Sequence, residues 1–220
     1  MRSALLLLVV ALLAACGGGD DEEDATETAA AATAAGGRGC DQVEAPEPKP
    51  DGGQQAPEQA LDPAKTWRLV FDTSCGSFTV ELDLDTAPKT AASLVSLAEN
   101  GFYDDTIFHR VVPGFVIQGG DPTGTGTGGP GYQTVDVPPT DAAYVQGVVA
   151  MAKTAVEPPG TAGSQFFVVT GADTGLPAEY AVVGKVASGL ETVLAIEALG
   201  TGDGPPSRAV VVERVAVESS

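Results

Sequence analysis

One charged and two amide side chains stand inside apolar segments of this sequence. Arg110 and Gln118 interrupt FHRVVPGFVIQGGDP, which spans residues 108–122, and Gln165 directly precedes a pair of phenylalanines. A charged guanidinium on an apolar surface is costly unless a partner pairs with it, so Arg110 needs either a partner or a function. The simpler alternative is that the two glutamines satisfy buried backbone groups and Arg110 is a surface salt-bridge partner.

Other catalytic chemistries find little support. The chain has one histidine, His109, and no serine in a G-x-S-x-G setting. Residues 124–129 match G-x-G-x-x-G, but Pro130 follows where a dinucleotide site needs a helix to begin. A metal site needs clustered histidine, cysteine or carboxylate ligands, and the acidic run 20–24 is typical of a solvated tail. We therefore predict neither a metal nor a cofactor.

The elements that position these side chains are mostly strands. Apolar and polar residues alternate over 76–85, as in a half-buried strand, and an apolar stripe over 91–98 predicts a helix that begins near Asp85 and ends at Gly101. A second helix is predicted over 190–199. Further strand-like runs cover 147–153, 164–171, 180–187 and 208–217. Many strands and two helices favour a mainly β fold, a closed antiparallel barrel with helices at its ends.

The chain from about Trp67 to Val217 resembles the cyclophilin-type peptidyl-prolyl isomerases. The most specific stretches are FHRVVPGFVIQGGDPTGTGTGGPGY and GSQFFVVT. The resemblance implies a domain over 65–218, built as a closed eight-stranded antiparallel β-barrel capped by two α-helices. It also implies a peptide groove on the outer face of the barrel and catalysis of X-Pro rotation.

The same resemblance assigns the site residue by residue. Arg110 is the expected catalytic residue, Gln118 is its partner, and His109 is expected to support the structure. The proline pocket is expected from Phe115, Val116, Phe167 and Leu176, and the neighbouring groove from Ala152, Lys153 and Gln165, with Tyr180 at the rim.

Two positions depart from the family pattern. The family often has tryptophan where this chain has Gly175, and histidine where it has Tyr180. Loss of the indole is expected to open one rim of the groove. Because Arg110 and Gln118 remain, we expect an enzyme. The alternatives are a non-catalytic proline-peptide-binding or chaperone module on the same fold, and a structural envelope lipoprotein, which leaves the pocket residues unexplained.

The first residues are typical of an export signal. Arg2 precedes an apolar run over 4–15, which is too short to span a bilayer. The run ends in Leu13-Ala14-Ala15-Cys16, which resembles the bacterial lipobox and implies lipidation of Cys16 after cleavage at residue 15. The alternative is an ordinary secretory signal with an incidental cysteine. We expect a bacterial, actinobacterial-like lipoprotein form of the family on the outer face of the cytoplasmic membrane.

Residues 16–64 are rich in Gly, Ala, Pro and acidic side chains and bury little apolar surface, so they are predicted to form a disordered tether. The chain carries 11 basic and 30 acidic residues. Nucleic acid and anionic lipid should repel it, so membrane attachment must come from the lipid anchor. The expected partners are proline-containing exported polypeptides, bound by a monomer.

The two remaining cysteines are Cys40, within the tether, and Cys75, between the first two strands. An exported protein meets an oxidising environment, where two leftover cysteines make one possible disulfide bond. The spacing also allows two free thiols.

Overall fold

The computed structural model of this chain describes residues 39–220. The predicted signal over 1–15, the lipidation candidate Cys16 and the first part of the tether lie outside the described residues. Within 39–220, none of the helices combines the length and apolar character needed to cross a membrane.

The fold is a curled antiparallel sheet with two helices. Its strands are β1 (Trp67–Thr73), β2 (Gly76–Leu82), β3 (Thr106–Ile107), β4 (Arg110–Val112), β5 (Val116–Gly119), β6 (Thr134–Val135), β7 (Val148–Met151), β8 (Thr161–Ala162), β9 (Phe166–Val169), β10 (Val182–Ser188) and β11 (Val211–Ser219), and its helices are α1 (Pro88–Glu99) and α2 (Leu190–Glu197). Nine strands form one sheet in the order β3-β11-β1-β2-β10-β7-β9-β5-β4, and β6 pairs with β8. The predicted mainly β fold with two helices is confirmed.

The two ends of the sheet lie on one stretch of chain. Strands β3 and β4 both belong to residues 106–112 and are separated by Phe108 and His109. The Phe108 N–H donates to the Val210 carbonyl at 3.0 Å, which keeps this interruption against the segment before β11. If β3 and β4 are counted as one interrupted strand, the large sheet has eight strands. The chain itself, rather than a ladder between β3 and β4, joins the two ends.

The core lies inside the curled sheet and beneath α1. In β2, Phe78, Val80 and Leu82 point into it, as the alternating pattern predicts. Helix α1 buries its apolar stripe of Ala91, Leu94, Val95 and Ala98 against the same core. The helix begins differently from the prediction, because its N-cap is Ala87 without a side-chain cap. The carboxylate of Asp83 instead accepts hydrogen bonds from the N–H groups of Asp85 and Thr86, in the turn before the helix.

Residues 40–54, which we call the strap, lie along the domain surface. Cys40 is joined to Cys75 by a disulfide bond. The Asp41 N–H then donates to Ser74 O at 2.7 Å, and the Lys49 N–H donates to Pro122 O at 2.8 Å. The strap ends with the Gly52 and Gln54 N–H groups donating to Gly129 O at 2.9 Å and Pro130 O at 3.0 Å.

This arrangement differs from the disordered tether expected for these residues. The Lys49 ammonium adds hydrogen bonds to the carbonyls of Gly101 at 3.1 Å, Phe102 at 3.3 Å and Asp104, just after the C-terminus of α1. An ammonium carries three donors, so it can satisfy several backbone carbonyls of the loop that follows α1. The strap is held by backbone hydrogen bonds, one ammonium and a disulfide. The expectation of disorder rested instead on the low apolar content of these residues.

Candidate active site

Arg110 and Gln118 lie opposite each other on a β-hairpin. Strands β4 and β5 pair in antiparallel register, with Arg110 directly across from Gln118. Because side chains alternate along a strand, Val111 and Ile117 enter the core while Arg110 and Gln118 point to the outer face. The Arg110 Nη1 donates to Gln118 Oε1 at 3.3 Å. The hairpin register therefore produces the pair that the sequence predicts.

The second glutamine extends this hydrogen-bonded chain. The Gln118 amide nitrogen donates to Gln165 Oε1 at 3.1 Å, and the Gln165 amide nitrogen donates to Gly128 O at 2.9 Å. In both glutamines, therefore, the amide oxygen faces the Arg110 end of the chain of hydrogen bonds and the amide nitrogen faces the Gly128 end. This direction fixes the carbonyl end of Gln118 on the guanidinium.

An apolar cluster lies on the same outer face. Along β9, Phe166 and Val168 belong to the main core, whereas Phe167 and Val169 belong to a second, separate cluster. This cluster brings together the predicted pocket and groove residues Phe115, Val116, Ala152, Phe167, Leu176 and Tyr180. The Phe115 ring centroid lies 6.0 Å from the Arg110 guanidinium carbon. The predicted proline pocket and the predicted catalytic side chain are thus adjacent.

Tyr144 also belongs to this cluster, although the sequence did not indicate it. Its side chain is buried, its hydroxyl donates to Tyr180 O at 2.8 Å, and the Tyr180 N–H donates to that hydroxyl at 3.0 Å. The Tyr180 ring meets Phe167 edge-on, with centroids 5.6 Å apart. Tyr144 therefore fixes the backbone of a rim residue. A single tyrosine in a loop carries no periodic signal that could have revealed this role.

The two departures from the family pattern have different structural outcomes. Gly175 has a φ of +63°, and a β-carbon added to it would meet no other atom within 4 Å, so the rim is open there. Tyr180, in contrast, is supported by Lys153. The Lys153 side chain is 2% exposed, and its ammonium lies 3.1 Å from the Glu179 carboxylate and 5.4 Å from the Tyr180 ring centroid.

Asp203 is a second partner of Arg110 that the sequence did not indicate. Its carboxylate accepts hydrogen bonds from Arg110 Nε at 2.6 Å and Nη2 at 3.1 Å. The Val111 N–H donates to Gly204 O at 2.8 Å, which pins the loop after α2 beside β4. The hydrogen bonds and charge of Arg110 lower the pKa of Asp203 from its ordinary value. The two residues are 93 positions apart, and a Gly-Pro-rich loop offers no motif that links them.

The match to a known family covers the whole patterned domain. The model of the family described as cyclophilin type peptidyl-prolyl cis-trans isomerase/CLD matches residues 68–217. The chain belongs to this family. The match spans β1 to β11 and includes the hairpin that carries Arg110 and Gln118, and the chain is a cyclophilin-type peptidyl-prolyl cis-trans isomerase.

Relatives and solved structures agree with this family. The chain is 43% identical over 129 residues to the peptidyl-prolyl cis-trans isomerase-like 1 protein of Aspergillus fumigatus, covering 57% of this chain and 78% of that protein. It is 38% identical over 159 residues to the protein of the same name from Gibberella zeae, covering 70% and 96%. A crystal structure of a Cryptosporidium parvum cyclophilin type isomerase, in the presence of the dipeptide Ala-Pro, matches with a TM-score of 0.63 and 32% identity over 70% of this chain and 99% of that one.

Replacing Asp203 should impair catalysis by releasing the Arg110 side chain. We expect D203A to lower kcat by about three- to tenfold with little change in KM, the cost of leaving one long side chain free to rotate. D203E should recover part of the loss. Because the Asp203 pKa is lowered, wild-type activity should decline only in acid, as the carboxylate protonates, and D203N should lack that decline. The pH profiles of kcat check this.

Asp72 provides the matched control for the D203A experiment. It also accepts a side-chain hydrogen bond, from Ser77 at 2.7 Å, but it lies in β1, away from the groove. D72A should leave kcat unchanged. Equal kcat values for D203A and wild type would show that Gln118 and Phe115 orient Arg110 without the loop.

Proposed function

We propose that this cyclophilin-type isomerase rotates X-Pro bonds in exported polypeptides, with Arg110 as its catalytic residue and Gln118 as the side chain that orients it. The observation that carries the proposal is the position of Arg110. Its guanidinium is held by Asp203 and Gln118 at the edge of the apolar pocket, and 31% of its side chain remains exposed to the groove.

The chemistry follows from the amide bond. Rotation of an X-Pro bond crosses a barrier of about 18–20 kcal/mol because the nitrogen shares its lone pair with the carbonyl. At the twisted transition state this conjugation is lost and the lone pair is localised on the prolyl nitrogen. A guanidinium directed at that nitrogen interacts more strongly with the twisted state than with either planar isomer, which is the condition for catalysis.

The apolar pocket holds the proline ring in place during the rotation. Phe115, Phe167 and Leu176 provide an apolar surface for the proline ring, and burial of the ring holds it still while the acyl side turns. The rigid donor set of Arg110 then needs no reorganisation during rotation. No bond is made or broken in this step, so the described side chains suffice for it.

Export and lipid anchoring are part of the proposal. The signal-like residues 1–15 and the lipobox-like Cys16 motif support it. The Cys40–Cys75 bond supports it independently, because disulfides persist mainly outside the reducing cytoplasm. In this proposal the protein is a monomer anchored by acyl chains at Cys16. It acts on proline-containing proteins as they fold on the outer side of the cytoplasmic membrane. Mass analysis of the N-terminal peptide from a bacterial host tests this part.

An isomerisation assay on short X-Pro peptides tests the catalytic part. The full chain should be used, because a domain that begins at residue 64 lacks Cys40 and leaves Cys75 without its partner. We expect the cis-to-trans rate to rise linearly with protein concentration. Saturable peptide binding without any rate increase would instead support the non-catalytic binding module.

A further inference from the structure

A cavity of about 660 Å³ adjoins the proline pocket. The groove residues Gln118, Ala152 and Gln165 line one side of it. Asp51 of the strap lines another, although it lies outside the matched isomerase domain of residues 68–217. A cavity of this volume accommodates a long side chain. The strap therefore contributes to the wall of a space that opens from the isomerase groove.

The strap is fitted closely to this wall. The Gly129 N–H donates to Asp51 Oδ1 at 2.8 Å, and the Gly52 N–H donates back to Gly129 O at 2.9 Å. A β-carbon on Gly131 would lie 3.1 Å from Gly52 Cα, and Gly131 has a φ of +92°, so only glycine allows this backbone approach. The position of Asp51 is thus set by the hydrogen bond to its own carboxylate and by the backbone contacts of Gly52, the next residue.

The charge of the cavity is negative. Two carboxylates line it, Asp51 and Glu157, and none of the salt bridges within residues 39–220 includes either of them. The hydrogen bond from the Thr154 N–H holds the pKa of Glu157 below its ordinary value, so this group stays ionised at neutral pH. The one cation in the wall, Lys153, is balanced by Glu179.

We propose that Asp51 makes this isomerase favour peptides that carry a lysine or arginine side chain on the amino-terminal side of the proline. The family resemblance implies that Ala152, Lys153 and Gln165 line the groove that holds the residue before proline, and all three also line the cavity. A cationic side chain there meets Asp51 and Glu157, and an acidic one is repelled. The inference rests on the isomerase function and adds to it a class of substrate selected by the strap.

The test compares peptides that differ at one residue. Lys, Ala or Glu is placed directly before the proline or one position earlier, and kcat/KM is measured with the full chain and normalised to each peptide's uncatalysed rate. At one of these positions we expect the Lys peptide to exceed the Glu peptide by about three- to tenfold, since the exchange turns a solvent-exposed attraction into a repulsion. Salt at about 1 M should remove most of the difference, because the Debye length falls to about 3 Å.

The variant D51N removes the charge but keeps an oxygen that can accept from Gly129. It should lower the Lys-to-Glu ratio by about twofold or more. E44Q is the matched control, because Glu44 is an exposed strap acid away from the cavity and its loss changes the net charge equally. Three results would each overturn the inference: equal kcat/KM for the Lys and Glu peptides in wild type, an unchanged Lys-to-Glu ratio in D51N, or an equal fall of that ratio in E44Q. Absence of catalysis on every peptide would instead overturn the isomerase function.

Discussion

Replacing Arg110 by alanine should lower kcat/KM for an X-Pro peptide by about 100-fold or more, the usual loss when a donor directed at the transition state is removed. The loss should appear in kcat, because the apolar pocket still binds the proline ring. The side chain lies on the outer face and is 31% exposed, so the domain should stay folded. Peptide isomerisation kinetics and thermal unfolding, measured together, check both statements.

Arg68 is the matched control for this substitution. It is also a strand arginine paired with a carboxylate, with its Nη2 2.8 Å from Glu81 Oε2 and 34% of its side chain exposed, but it lies on β1, away from the groove. R68A should keep wild-type kcat. If R110A retained near-wild-type rates, the guanidinium would have no part in the chemistry. Unfolding of R110A would identify the arginine as structural, and R110K, which keeps charge but not the planar donors, would then decide its catalytic role.

Removing the disulfide should have the largest effect on stability. Replacing Cys40 and Cys75 together by serine opens a loop of 35 residues, which costs about 3–4 kcal/mol in the loop-entropy description. For a domain of this size the melting temperature should fall by roughly 10 °C. Denaturant unfolding of wild type and variant checks the free energy, and reduction of the wild-type protein should reproduce the change.

Amide hydrogen exchange shows whether the strap leaves the surface when its covalent anchor is lost. The N–H groups of Asp41, Lys49, Gly52 and Gln54 donate to the domain, so they should exchange slowly in wild type and fast in the serine variant. Amides of β2, within the core sheet, serve as the internal reference. Equal stability of oxidised and reduced protein would contradict the prediction, as would unchanged exchange of the strap.

The domain and the centre of its site could be predicted from local sequence. Alternation in β2 and the stripe of α1 have fixed periods, so they identify buried faces without knowledge of the fold. The family resemblance identified Gln118 as the partner of Arg110, and the structure places the two residues, eight positions apart, across from each other on a hairpin. In β9, Phe166 and Phe167 likewise point to opposite faces of the sheet, and the family resemblance identified Phe167 as the one that lines the pocket.

The strap could not be predicted in the same way. Its composition offers no apolar periodicity, and low apolar content is the usual sign of disorder. What holds it are hydrogen bonds between backbone groups, three carbonyls that meet the Lys49 ammonium, and one disulfide. Every residue except proline carries the same backbone N–H and C=O groups, so their pairing leaves little trace in residue types.

Residue types and their spacing indicated the longer strands and both helices, and compact motifs indicated the family and, through it, the candidate residues for the isomerase chemistry, because these features depend on near neighbours in the chain. Which distant groups surround that chemistry depends on the folded chain. Asp203 reaches Arg110 because Gly204 pairs with Val111, and Asp51 reaches the groove because Gly131 allows the strap to approach. Both carboxylates stand in loops of Gly and Pro, and their positions follow from where the sheet brings those loops together.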